Sequence, residues 1–206
     1  MSDLYELIFE TDNPCNTVIF ETDTGKVLYQ VATEQGKETV TRVKNGGGET
    51  LASWVWKDVR SDVITLGNGT PVPVSAWLNK SLVPFKDTVT FQDARGQKFK
   101  WKGNGPGLSF ELYAEGNKTE PLVRFHKSRT MWDHTVQPPT SRTEPARLVM
   151  DSRGIAIQDM AVISFLVLEK SRRTRESSTL NRADAVGLTP GGLIPSQVVI
   201  RGIGWA

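Results

Sequence analysis

Through most of the first 150 residues, apolar and polar positions alternate with a period of two. The alternation is clear in residues 26–33 (KVLYQVAT), 38–44 (ETVTRVK), 50–57 (TLASWVWK), 88–92 (TVTFQ) and 97–102 (QKFKWK). A period of two places one set of side chains on each face, as a half-buried strand requires. Residues 4–9, 17–20, 59–66, 108–114, 122–127 and 147–150 read as further short strands. Turn chemistry separates them: Asn13-Pro14, Asp23-Thr24-Gly25, Asn45 followed by Gly46, Gly47 and Gly48, Asp93 to Gly96, and the Gly103-to-Gly107 run. Residues 70–75 hold Pro71 and Pro73, which restrict them to an edge strand or a loop. Residues 128–145 are polar and read as a long loop.

The pattern then breaks. From Met160 to Leu168 every residue except Ser164 is apolar, and the chain turns basic directly afterwards. Such a run fits a buried strand or a buried helix. It passes without Gly or Pro into helix-forming residues, which favours a helix over 158–175. Asp159 at its start and Lys170, Arg172, Arg173 and Arg175 at its end suit the helix dipole. Nine residues rise only about 14 Å, against the roughly 20 residues needed to span a bilayer. Protein must therefore enclose the run. Ten to twelve strands and one apolar helix point to a mainly β fold, a closed antiparallel barrel about a central helix.

Composition adds limits. The chain has 206 residues, 38% hydrophobic and 23% charged, as a soluble globular protein has. Net charge is +2, so bulk charge does not call for nucleic acid, and a cationic surface must come from clustering. The single cysteine, Cys15, excludes an internal disulfide. The acidic start, MSDLYELIFE, lacks the pattern of a signal peptide, and an intracellular setting, or export without a signal, is expected. Residues 177–206 are rich in Ser, Gly and Pro and read as an extension docked on the 1–176 domain, with a strand near 198–201, the rival reading being a solvated tail.

Four segments, NPCNT (13–17), VLYQVAT (27–33), FQDARGQKFKWK (91–102) and QDMAVISFLVLEKSRRTRE (158–176), resemble in order the DUF6593 family of small basidiomycete fungal proteins of unknown function. That family is similar to the Tubby C-terminal-like superfamily, with the phospholipid scramblases and LURP-one-related proteins. The resemblance implies a twelve-stranded closed barrel around a C-terminal helix. It also implies phosphoinositide binding through basic side chains, with no individual position carried over.

Candidate chemistry is sparse. Lys98, Lys100 and Lys102 share one face of a strand whose other face holds Phe99 and Trp101. Three lysines in a row suit phosphate or a lipid headgroup, with Arg124, Arg172, Arg173 and Arg175 as helpers. The plainer reading is a solvated strand face and a helix C-terminus stabilised by cations. Trp54 and Trp56 share a face and either fill the core or line an apolar cavity; Trp77, Trp132 and Trp205 would anchor loops or meet a partner. Cys15, His126 and His134 make no zinc-binding spacing, no nucleophile elbow occurs, and no cofactor is expected. The expected function is a non-enzymatic protein binding anionic lipid. One alternative is a toxin-like protein acting on RNA through Glu111, Tyr113 and Arg124; another is an oligomerisation module.

Overall fold

The computed structural model describes residues 4–58, 60–83, 87–133, 135, 137 and 139–185. Thirteen strands form one antiparallel sheet. In chain order they begin with β1 (Tyr5–Phe9), β2 (Thr17–Glu21), β3 (Val27–Gln35), β4 (Thr39–Asn45), β5 (Thr50–Val55) and β6 (Val63–Leu66). A short β7 (Val72–Pro73) leads through a helical turn, α1 (Val74–Trp77), to β8 (Asn79–Lys80). β9 (Val89–Gln92), β10 (Lys98–Lys102), β11 (Glu111–Ala114) and β12 (Val123–His126) follow. β13 (Arg129–Asp133) and β14 (Thr140–Glu144) pair with each other as a separate ribbon, and β15 (Arg147–Met150) returns to the main sheet. The expected loop at 128–145 is thus corrected. Residues such as Thr130, Met131, Thr140 and Thr143 support an exposed hairpin although few of them alternate in polarity.

The strand order is β7-β6-β5-β4-β3-β2-β1-β15-β12-β11-β10-β9-β8. The two edges, β7 and β8, are consecutive in the chain and separated only by residues 74–78. The proline-bearing segment is an edge strand, as expected, because Pro73 cannot donate to a second neighbour. Antiparallel pairing sends the connections alternately to two ends of the sheet. One end gathers the connections 10–16, 36–38, 56–62, 81–88, 103–110 and 127–146. The other gathers 22–26, 46–49, 67–71, 93–97, 115–122 and 151–157.

From that second end a short α2 (Ser152–Ile155), capped by Asp151 accepting from the Gly154 amide at 2.8 Å, leads into α3 (Gln158–Ala185). The helix runs ten residues beyond the expected Arg175, since residues 176–185 contain neither Gly nor Pro. Residues 161 to 168 are buried on every side, Ser164 included. The ring of Phe165 lies 5.7 Å from Phe9 of β1, 4.4 Å from Phe125 of β12 and 6.2 Å from Trp101 of β10. At the start of the helix Asp159 accepts from the Tyr29 hydroxyl of β3 at 2.5 Å. The helix therefore packs against strands from both halves of the sheet.

Residues 4–172 form one compact unit and a second begins at Arg173. The strand expected near 198–201, and the docking expected of the extension, lie outside the described residues.

Candidate functional site

The alternation in β10 is realised as read. Phe99 and Trp101 are buried, Lys98 is exposed, and Lys100 and Lys102 are half-buried on the outer face. Lys98 stands opposite Gln92 of β9, and Lys100 stands opposite Thr90, which in turn pairs with Asn79 of β8. These outward side chains, with Trp77 and Glu115, line a depression of about 530 Å³. That volume falls within the range of small-ligand sites. Trp77 forms one wall and packs on Phe91 at 6.1 Å between centroids. The alternation of β10 could not reveal Trp77 as a neighbour, because it arrives from the turn between the two edge strands.

The cations differ in how far they are engaged. Lys98 Nζ lies 3.8 Å from the Glu115 carboxylate, a contact both partners make while half in solvent. Among the described residues the Lys100 ammonium has neither an ion pair nor a hydrogen bond. Lys102 Nζ sits 3.7 Å above the Tyr113 ring and donates to the Lys118 carbonyl at 3.2 Å. Arg124 faces Glu111 across the strand pair, 3.5 Å between Nε and Oε1. Tyr113 donates its hydroxyl to the other Glu111 oxygen at 2.5 Å. Burial, reinforced by that carboxylate, pushes the Tyr113 pKa up to about 12. The outer face thus splits in two. Lys98 and Lys100 border the depression, while Lys102 and Arg124 are woven into a local network with Tyr113 and Glu111.

The helix cations separate differently. Arg172, expected to help the cationic face, is only 1% exposed, which removes it from any surface site. Its Nη2 meets Glu169 at 2.5 Å, its Nη1 donates to the Leu108 carbonyl at 2.5 Å, and its guanidinium lies 4.5 Å above the Phe110 ring. Lys170 is likewise structural, 2.7 Å from Asp62 and 4.3 Å above the Trp56 ring. Arg173 is half-buried and Arg175 exposed; both belong to the second compact unit.

Of the tryptophans weighed for a cavity, Trp54 is fully buried in the core, and Trp56 donates its Nε1 to Thr41 at 2.8 Å. The pair fills space. Trp132 is exposed on β13, and Trp205 lies outside the described residues. Cys15 is buried in the turn before β2, where its amide donates to Asn13 and its carbonyl accepts from Thr33. His134 lies outside the described residues. A second depression, about 730 Å³, opens at the end of the sheet where α3 begins. Asp93, Asp159, Arg95 and Arg153 all line it, so its charges balance and it selects neither sign of ligand.

Among the described residues no helix is long and apolar enough to cross a membrane. No curated protein and no solved structure matches the chain. One family model covers residues 12–174, from the turn before β2 through the buried stretch of α3, and on that match the chain belongs to the family of unknown function DUF6593.

Proposed function

We propose that this protein binds a phosphate-bearing anionic headgroup in the depression on the outer face of β8–β10, with Lys98 and Lys100 as the binding cations. The observation that carries this is that both lysines line a concave site together with Trp77. A lysine is a compact point charge with three donors, suited to phosphate oxygens approached from several directions. Glu115 opposes an incoming anion and holds Lys98 when the site is empty. Phosphate binding then exchanges one carboxylate partner for another acceptor.

The frame is a closed barrel. β7 and β8 run in the same direction, and α1 links them in five residues. Taken as one interrupted strand, they pair with β6 on one side and β9 on the other. Closure on those terms gives twelve strands around α3. This architecture supports the kinship with Tubby C-terminal-like domains of fungal DUF6593 proteins, and with it a lipid headgroup as ligand.

Cosedimentation with vesicles containing a phosphoinositide, against purely zwitterionic vesicles, tests the reading. Preferential recovery with the phosphoinositide is expected, lost in Lys98→Ala/Lys100→Ala and strengthened in Glu115→Gln. Equal recovery from both vesicles overturns it.

A second reading rests on Tyr113, Glu111 and Arg124 meeting on one face, as RNA chemistry would require. Both Glu111 oxygens are already engaged, one by Arg124 and the other by the Tyr113 hydroxyl, which leaves neither turned to a substrate. Intact ribosomal RNA in a translation lysate exposed to the protein would exclude this reading.

A further inference from the structure

The β13–β14 ribbon stands apart from the main sheet. Its two strands pair only with each other, from Arg129 opposite Glu144 to Asp133 opposite Thr140. Among the described residues no backbone hydrogen bond reaches 129–133 from outside the ribbon. The outer edge of β13 is therefore a row of main-chain donors and acceptors open to another strand. A two-stranded ribbon by itself is marginal in water, and further strands are what stabilise it. β13 is also the apolar strand of the two. Met131 is 42% exposed and Trp132 60%, whereas β14 holds no apolar residue.

The order of charges along β13 is self-complementary. Two identical antiparallel strands related by a two-fold axis through the sheet keep odd-numbered positions on the same face. A residue can then face only a position of its own parity. Full overlap of Arg129–Asp133 with its copy occurs in a single register, with Met131 facing its own counterpart. That register sets the Arg129 position opposite the Asp133 position, and Thr130 opposite Trp132, once on each side of the axis. Opposite charges directly across a strand pair stabilise it, and like charges oppose it. β14 fails the same test, because full overlap there sets Arg142 against Arg142. Arg129 already holds Glu144 through its Nε at 2.8 Å, and its guanidinium keeps N–H donors to spare for a second carboxylate.

We propose that two copies of this chain dimerise through β13, antiparallel about a two-fold axis at Met131, giving a four-stranded sheet in the order β14-β13-β13-β14. One face carries the two methionines between a pair of Arg129–Asp133 contacts. The other carries the two Trp132 rings on the diagonal, where cross-strand aromatic side chains still meet, each opposite a threonine. The dimer thus covers the indole that the fold of one copy leaves in solvent. The same patch serves both copies, so assembly closes at two and does not run on into a filament. The ladder is small beside the roughly 800 Å² per partner of a standard interface. A dimer of about micromolar strength is therefore expected, present at high concentration and lost on dilution. The inference does not depend on the headgroup reading, since β8–β10 take no part in it.

Sedimentation equilibrium of the full chain between about 1 and 200 μM tests this, a span that brackets such a constant. Wild type should pass from monomer to dimer across it. Met131→Glu sets a carboxylate opposite Arg142 within the ribbon, which suits the fold, and opposite itself across the two-fold axis, which opposes the dimer. It should melt as wild type does and dimerise at least tenfold more weakly. Under mild oxidation Met131→Cys should give a disulfide-linked dimer, because directly opposed residues stand some 4.5–5.5 Å apart between Cα atoms, within disulfide range. Arg142→Cys, one strand removed from the axis, should not, and the native Cys15 is buried. A chain that stays monomeric at the upper concentration overturns the proposal and leaves the edge to a foreign strand. Dimers that persist in Met131→Glu overturn it as well, as does cross-linking of Arg142→Cys that matches Met131→Cys.

Discussion

The indole Nε1 of Trp101 donates to Ser164 Oγ at 2.9 Å in the middle of the core. Ser164 is the one polar residue in the apolar run of α3, and Trp101 lies on the strand that carries the lysines. The hydroxyl also donates to the Ala161 carbonyl one turn back. The strand under the proposed binding face is therefore pinned to the helix by a buried hydrogen bond beside the Trp101–Phe165 ring contact. Ser164→Ala strands the indole N–H and should cost about 1–3 kcal/mol in denaturant unfolding. Trp101→Phe combined with Ser164→Ala should cost less than the sum of the two single changes; strict additivity would show that the contact carries no coupling.

Arg172 and Glu169 are both buried and paired within one helical turn. Removing one partner leaves an uncompensated buried charge, so Glu169→Gln or Arg172→Met should destabilise by about 3–5 kcal/mol. Neither variant, measured below its melting temperature, should change the preference for anionic vesicles. A change in that preference with intact melting would return Arg172 to the binding site.

Gly103 follows Lys102 with φ near +81°, and a Cβ there would stand 1.9 Å from the Ser109 carbonyl oxygen. Its own carbonyl is 3.5 Å from Arg172 Nη1. Gly103→Ala should therefore cost more than the ~1 kcal/mol of an ordinary left-handed glycine, because backbone must move as well. Gly107→Ala, at φ near +74° with open space around its Cβ position, is the control and should cost less. Equal melting temperatures for the two would contradict this.

Stability should fall at both extremes of pH. Burial, followed by charged neighbours or hydrogen bonds, raises the pKa of Tyr5, Tyr29 and Tyr113. An acid whose folded pKa is raised binds protons that the unfolded chain has released, so its contribution is complete below pH 10 and, for Tyr113, is lost toward about pH 12. His126 is lowered by burial and then by Arg147, so the unfolded chain binds its proton first on acidification. Its contribution is present above about pH 6.5 and declines as pH falls through the lowered folded value. Glu111→Gln should bring the Tyr113 phenolate transition, followed by ultraviolet absorbance, down toward pH 10. An unmoved transition would contradict the role of the carboxylate.

Period-two patterning made most of the sheet legible in the sequence. One face of each of those strands is buried, so the solvent boundary is written into the order of residues. Met160 to Leu168 announced an enclosed helix for the same reason, since its polarity leaves no face for water. Lys98, Lys100 and Lys102 were legible as neighbours because one strand carries all three. The ribbon of β13 and β14 was not legible, because exposed pairing leaves little apolar signal on either strand.

Tertiary structure alone decided the rest. It buried Arg172, whose charge reads as surface until Glu169 and the Leu108 carbonyl are seen beside it. It brought Trp77 to Lys98 and Lys100, and Tyr113 to Glu111 and Arg124 across strand pairs. It collected Leu82, Leu108 and Trp132 at one end, although up to fifty residues separate them. Local pattern reports whether a side chain faces water; which distant side chains share that water is set by strand order and register.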